Sequence, residues 1–350
     1  MEYKTLGNTG LLVSRLCLGT MTMGPGTGIY GHIGNVGQAD ADQLIKSSFD
    51  AGINFFDTAD VYSAGESERI LGQAFKNLNI ARKDVVIATK VYSRTGPGRN
   101  DVGASRKHIM DGVEASLKNL QTDHIDLYQI HANDILTPTE EILRSLDDLV
   151  RSGKVRYIGC SNWQAWKIAK ALGISSAKNL ARFDSLQAYY SIAGRDLERE
   201  IVPLLEEEKL GLMVWSPLAG GLLSGKFSRE NQNPVNSRRS GFDFPIVDKE
   251  RAWKILDVIA PIAKAHNCSA ARIALAWLLA KQAVTSIVIG AKRKDQLDDN
   301  IAAIELQLSS DEINQLDEAS TLPPEYPGWM LNTQGADRLG QVNIWEGRSS

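Results

Sequence analysis

Short apolar runs in this chain keep ending on residues able to do chemistry, and a helical stretch follows nearly every one. Ile53 to Phe56 leads into Asp57, Val85 to Thr89 into Lys90, and Ile125 to Ile130 into His131. Val155 to Cys160 leads into Ser161 and Asn162, Ser185-Leu186 into Gln187, and Leu210 to Val214 into Trp215. Ser286 to Ile289 ends at Gly290 ahead of a charged helix, and Leu16 to Gly19 opens the series. Apolar runs of this length, alternating with helices over short connections, are the pattern of a buried parallel sheet. The C-terminal ends of successive parallel strands share one mouth, so polar groups placed there converge. That is the layout of a (β/α)8 TIM barrel with its active site at the strand C-termini.

The 350 residues could hold one large barrel or two average domains. No linker-like break interrupts the middle, so the expectation is a single catalytic barrel over 1–320 and a tail over 321–350. The barrel is preceded by a β-hairpin: Tyr3 to Thr5, a Gly7-Asn8-Thr9-Gly10 turn and Leu11 to Ser14, placed to plug the barrel bottom. Helices are expected at about 40–51, 66–77, 105–120, 138–152, 163–172, 195–208, 250–266, 270–281 and 293–303. Glycines 52, 153 and 211 are expected to close helices. Two long loops, the glycine-rich 20–39 and the 217–249 segment with Lys226, Arg229, Arg238 and Arg239, lie at the end that carries the polar groups.

Net charge is −3, which gives no electrostatic case for nucleic acid or a membrane as partner. Three widely spaced cysteines argue against a disulfide framework, and the first residues show no secretory pattern, so a cytoplasmic protein is expected. Gly26 to Gly31 fits G-x-G-x-x-G, but that fingerprint must join a strand directly to a helix, and His32-Ile33-Gly34-Asn35 is not helical. Gly159 to Trp163 lacks the last glycine of a serine-hydrolase elbow. The five histidines form no ligand-spaced pair, so no metal is expected and a metal-dependent barrel hydrolase is disfavoured.

Asp57, Tyr62, Lys90 and His131 form a stronger set. An aspartate and a lysine closing adjacent strands are by themselves an ordinary structural ion pair. Taken together, the four can do more. A buried ammonium needs a counter-ion, which Asp57 supplies. A nearby phenol should then have its pKa drawn down from about 10. Such a phenol can protonate an oxygen becoming alkoxide-like, while a neutral imidazole opposite orients that oxygen. These parts polarise a carbonyl and give it a proton; the hydride must come from a cofactor.

Phe56-Asp57-Thr58-Ala59-Asp60-Val61-Tyr62, the strand ending in Lys90, Ile125 to His131, Gly159 to Asn162, and Trp215 to Lys226 resemble the aldo-keto reductase superfamily, in order over roughly residues 3 to 320. The long 217–249 loop is more similar to that of bacterial reductases and potassium-channel β subunits than to that of aldose reductase. The resemblance implies a barrel that binds NADP(H), in preference to NAD(H), across the strand C-termini, and a catalytic tetrad of Asp57, Tyr62, Lys90 and His131. It implies cofactor contacts from Thr20, Met21 and Asp57 near the nicotinamide ribose and from Ser161, Asn162 and Gln187 at the carboxamide. Trp215 would stack on the nicotinamide, and Ser216, Leu218 and Lys226 would line the pyrophosphate. Gly290, Lys292, Gln296, Asp299 and Asn300 would surround the adenosine phosphate. Gln296 stands where the best-known branch has an arginine, which leaves Lys292 and Arg293 to meet a 2′-phosphate. The implied activity is NADPH-dependent, reversible reduction of an aldehyde or ketone, with Tyr62 as general acid. The alternative is a slow-turnover, NADP(H)-binding, redox-sensing regulatory subunit. The rim of the small-molecule pocket is expected from Met21 to Tyr30, Tyr92 to Gly98, Trp163 and the tail around Trp329. Substrate identity and oligomeric state stay open.

Overall fold

The computed structural model describes residues 1–25, 33–235 and 237–334. Antiparallel β1 (Tyr3–Thr5) and β2 (Leu12–Ser14) form the expected hairpin. Eight parallel strands follow: β3 (Leu16–Gly19), β4 (Phe55–Asp57), β5 (Val86–Val91), β6 (Ile125–Ile130), β7 (Val155–Ser161), β8 (Ser185–Tyr189), β9 (Gly211–Trp215) and β10 (Val284–Ile289). They close in sequence order, with β10 pairing β3, so the (β/α)8 expectation holds. The intervening helices are α1 (Gln38–Asp50), α2 (Glu66–Asn77), α3 (Arg106–Leu120), α4 (Thr139–Arg151), α5 (Ala165–Lys178) and α6 (Ile201–Glu207). After β9 come α7 (Arg238–Gly241), α8 (Lys249–Ala265) and α9 (Ala270–Leu279), and after β10 come α10 (Lys294–Ile301) and α11 (Ser310–Ala319). No helix among the described residues is long and apolar enough to cross a membrane.

Strand side chains alternate between two apolar clusters, as the two-residue strand period requires. Cys17, Phe55, Val86, Ala88, Leu127 and Met213 pack inside the barrel with Leu6 and Val13 of the hairpin region. Their neighbours Leu16, Leu18, Phe56, Ile87, Tyr128 and Val214 face the helices. The hairpin therefore plugs the bottom. Continuing the inward column upward gives Asp57 on β4, Lys90 on β5, and Gln129 followed by His131 on β6. The same alternation that buries apolar groups below delivers polar groups above.

Seating the plug demands glycine. A Cβ on Gly7, whose φ is +57°, would lie 2.4 Å from the carbonyl oxygen of Asp184, and one on Gly211 would lie 2.9 Å from the Gly7 nitrogen. Gly211 is thus a close-approach position at the start of β9, not the helix terminator that the sequence suggests; Lys209 takes the left-handed turn instead, at φ 53°. Gly7→Ala is expected to destabilise the fold by about 1–3 kcal/mol through the left-handed backbone alone, with the backbone clash adding to that. A urea midpoint equal to the native one would show that the plug is not seated this way.

Other departures have local causes. The helix expected over 195–208 is a 3-10 turn at Asp196–Glu198 followed by α6, because Pro203 belongs in a first helical turn, where it has no N–H to leave unpaired. α5 runs through Gly173 to Lys178, since one glycine costs a helix only about 1 kcal/mol. The 217–249 segment holds a 3-10 turn at Ala219–Ser224 and α7. α11 was outside the expected set although its signal is legible: Ser309 and Glu312 form a reciprocal capping box.

The contacts divide the chain into Met1–Ser320 and Thr321–Ser350. In the second unit α12 spans Gly328–Gln334, and the Tyr326 and Trp329 rings meet edge to face at 6.3 Å. The glycine run Gly26 to Gly31, including the rim position Tyr30, and Trp345 lie outside the described residues.

Candidate active site

β4 ends at Asp57, and the chain leaving it stays against the end of β5: Thr58 N–H donates to the Ala88 carbonyl at 2.9 Å and Asp60 N–H to the Lys90 carbonyl at 3.1 Å. A turn then brings Tyr62 back over Lys90. Ser63 and Ala64, directly after it, have φ of 49° and 54°. Left-handed backbone costs roughly 1–2 kcal/mol for each such non-glycine residue, so packing holds this turn against its preference. One bond that does so runs from Ser63 Oγ to the Met23 carbonyl, at 3.1 Å.

Lys90 is fully buried, and its ammonium donates in three directions: to Asp57 Oδ2 at 2.6 Å, the Thr58 carbonyl at 2.7 Å and Tyr62 Oη at 3.4 Å. An ammonium has three donors, and all are engaged. The other Asp57 oxygen accepts from Gln187 Nε2 at 2.8 Å and Gln129 Nε2 at 3.3 Å. Burial, the largest single influence, pulls Lys90 down, but the charges and hydrogen bonds of Asp57 and Tyr62 together outweigh it, and the ammonium sits above its usual range.

Tyr62 departs from the sequence-based expectation. Burial, the largest influence, raises its pKa above the usual value; Lys90 lowers it, but Asp57 adds to the rise. Burial outweighs the ammonium, and Asp57 offsets part of its field, so a dry phenol beside it stays a phenol. His131 meets the Tyr62 ring edge to face at 5.7 Å. Its Nδ1 is enclosed without a hydrogen-bond partner among the described residues. Burial first, and Lys90 second, hold its pKa down to about 3, so the imidazole is neutral. The arrangement offers a neutral phenol, a neutral imidazole and a clamped ammonium around one spot, which suits protonation of an oxygen gaining negative charge.

The resemblance-derived cofactor positions separate into two groups. Trp215 presents its ring at the end of β9, stacked on Phe244 at 5.7 Å and 8° and tilted against Tyr189 at 5.2 Å. Its indole N–H donates to Asn162 Oδ1 at 2.9 Å, and Asn162 Nδ2 donates to the His131 carbonyl at 3.1 Å. Asn162 thus ties the ends of β6, β7 and β9 together, from a left-handed φ of 59°. Ser161 is buried beside it at the end of β7. Met21, Ser216 and Leu218 are half-buried near the ends of β3 and β9.

Lys292 is held below its usual value by burial and then by the like charges of Arg238 and Lys226. Arg238 is lowered by burial and Arg239, with Tyr62 acting in the opposite sense, which puts this guanidinium within electrostatic reach of both the phenol and Lys292. Its Nε is buried and unpartnered. Like charges that depress one another beside an unused donor suit an anionic ligand.

Other positions are engaged inside the protein. Thr20 is buried, its hydroxyl bonded to Ser67 Oγ at 2.7 Å. Asp299 holds the N-terminus of α9, accepting from Ser269 Oγ at 2.5 Å and Arg272 Nη2 at 2.7 Å. Gln296 Oε1 accepts from the Lys292 N–H at 3.1 Å, Asn300 is buried on α10, and Gly290 is exposed beyond β10. Trp163 is not a rim residue: it is 2 % exposed, packed edge to face on Phe183. The left-handed turn at Asn162 carries the chain back toward the helices and takes the indole into the core.

Gln129, Asp60 and Phe244 are the neighbours that reading strand ends missed; Arg238 was placed at this end with its loop. Gln129 lies two residues before His131, so the period-two column would have found it. Phe244 and Arg238 reach the mouth from a loop with no periodic signal. Among the described residues no three His, Cys, Asp or Glu side chains gather as a metal site.

The aldo/keto reductase family model matches residues 15–321. An uncharacterized oxidoreductase of Bacillus subtilis (strain 168) is 38% identical over 341 residues, covering 94% of this chain and 100% of its own length. Versiconal hemiacetal acetate reductase of Aspergillus parasiticus is 36% identical, covering 94% of this chain and 99% of its own. A probable voltage-gated potassium channel subunit beta of Oryza sativa subsp. japonica is 36% identical, covering 87% of this chain and 92% of its own.

Proposed function

The chain belongs to the aldo/keto reductase family, and from that premise we propose that it reduces an aldehyde or ketone reversibly to the alcohol with NADPH, the barrel over 1–320 being the catalytic domain. The observation that carries this reading is the Lys90 ammonium held between Asp57 and Tyr62.

The bound dinucleotide would supply the hydride. Tyr62 donates the proton to the carbonyl oxygen as charge builds there. Lys90 stabilises the phenolate left behind, and Asp57, itself fixed by Gln129 and Gln187, holds Lys90 in place. Neutral His131 orients the carbonyl. Trp215 would give the nicotinamide a flat face, with Ser161, Asn162 and Gln187 at its carboxamide and Thr20 and Met21 toward the ribose. Ser216, Leu218 and Lys226 would line the pyrophosphate, and Gly290, Gln296, Asp299 and Asn300 would surround the adenosine end. Lys226, Arg238 and Lys292 would meet the phosphates, and their mutual repulsion supports NADP(H) over NAD(H). For Gln187 and Asn162 to reach the carboxamide, each must share or release the internal bond it makes now. We place the protein in the cytoplasm, supported by three free cysteines.

The test is NADPH oxidation, followed by its absorbance, against a panel of small aliphatic and aromatic aldehydes and ketones. Single-turnover oxidation of bound NADPH by at least one carbonyl, at a rate equal to or above that of NADP release, is expected. The resemblance to a plant channel β subunit favours the second reading, a redox-sensing subunit. Single-turnover oxidation slower than cofactor release with every carbonyl would select it.

A further inference from the structure

Behind the phenol lies an acidic pair that the chemistry above does not use. Asp60 is 7 % exposed and Glu68 fully buried. Glu68, on α2, accepts from Thr89 Oγ1 at 2.6 Å and Asn119 Nδ2 at 3.1 Å. Among the described residues no side chain donates to either oxygen of Asp60; the backbone N–H of Val61 faces it. Asp60 is fixed in place by its own N–H on the Lys90 carbonyl, in the short stretch joining Asp57 to Tyr62. The titratable groups around it are Glu68 from α2, Lys90 from β5, Tyr128 from β6, and Tyr62 from the same turn. Tyr128 is a neutral phenol, raised well above its usual value by burial and by both acids.

Two carboxyl groups enclosed together do not both ionise readily. Burial raises Glu68 as well, but its bonds from Thr89 and Asn119 act against that, so Glu68 is the better place for the charge and Asp60 for the proton. We propose that Asp60 is a positioning residue for the Tyr62–Lys90 pair: kept as a neutral acid behind the phenol, it adds no charge there in the working range, and its ionisation makes Tyr62 a weaker acid. The proposal rests on the reading of Tyr62 as the proton donor.

Two influences give the direction. Burial first, then Glu68, push Asp60 up to about 8, and the charge of Asp60 raises the pKa of Tyr62. A folded-state value above the unfolded one of about 3.9 means that the native protein holds a proton the unfolded chain releases. The associated stability is present below about pH 4, declines as pH rises, and is gone above about pH 8.

The experiment compares the native protein with Asp60→Asn, Glu68→Gln and Tyr62→Phe in two ways. The first is the pH profile of carbonyl reduction and alcohol oxidation, each normalised to its own plateau. The alkaline limb in both directions should move to lower pH in Asp60→Asn, because the phenol no longer gains an anionic neighbour. The second is thermal unfolding without cofactor from about pH 5 to pH 9. The native midpoint should fall toward pH 8 more steeply than that of Asp60→Asn. In Glu68→Gln, which removes the like charge, the fall should finish at a lower pH than in the native protein. Superimposed alkaline limbs with an inactive Tyr62→Phe would overturn the role of Asp60 and leave that of Tyr62 standing. Parallel unfolding curves for native and Asp60→Asn would also overturn it. Should Asp60→Asn not fold, an unshifted fall in Glu68→Gln does the same. A Tyr62→Phe enzyme with near-native turnover would instead remove the reading of Tyr62, and the unfolding curves would still decide where the proton sits.

Discussion

Replacing Tyr62 with phenylalanine is expected to lower carbonyl turnover by about 10²–10⁴-fold, the usual contribution of a positioned general acid. The substitution removes one oxygen from a side chain 8 % exposed. The ring remains to fill its place against His131, and Lys90 keeps its bonds to Asp57 and Thr58. NADPH affinity, measured by fluorescence titration, should stay within a few-fold, since the cationic residues proposed to meet the phosphates belong to other segments. Turnover within a factor of about ten of native would assign the proton to another donor. Because burial raises the native phenol, the reductive direction should hold its activity well above neutral pH and the oxidative direction should gain with rising pH.

Lys90→Met is expected to be the most damaging single change to stability. Removing one partner of a buried ion pair typically destabilises by about 3–5 kcal/mol, because the other charge stays buried. Here Asp57, at 2 % exposure, would keep only its amide donors from Gln187 and Gln129. The double variant Lys90→Met/Asp57→Asn should recover much of the urea midpoint while staying inactive. That separates folding from chemistry: recovery of turnover along with stability would mean that the pair is structural only.

Most of the fold was legible because each barrel strand is a run buried on both faces, bounded by helices with ordinary start and stop signals. The positions of Asp57, Lys90 and His131 were legible for the same reason, as residues at the ends of such runs, whereas Tyr62 comes from the turn after β4. Features that depend on a partner distant in sequence were not. Gly211 reads as a helix terminator until the hairpin is seated and the Gly7 nitrogen is found where a side chain would go. Trp163 reads as a rim aromatic until the turn at Asn162 takes it onto Phe183. That Asp299 accepts from Ser269 and Arg272 at the start of α9 could be read only once those residues were beside it.

The amino-acid order alone determined the barrel, the hairpin plug and the four chemical groups at its mouth, because burial periodicity is a local property that a strand carries with it. Tertiary structure alone decided the protonation of those groups. Whether Lys90 would pull Tyr62 down depended on how nearly Asp57 cancels its charge and how dry the phenol is. The same holds for Asp60, one acid among many in the sequence, which becomes distinctive only when Glu68 takes the available donors beside it. Proton affinities follow from distance, burial and neighbouring charge, and these exist only once the chain has closed on itself.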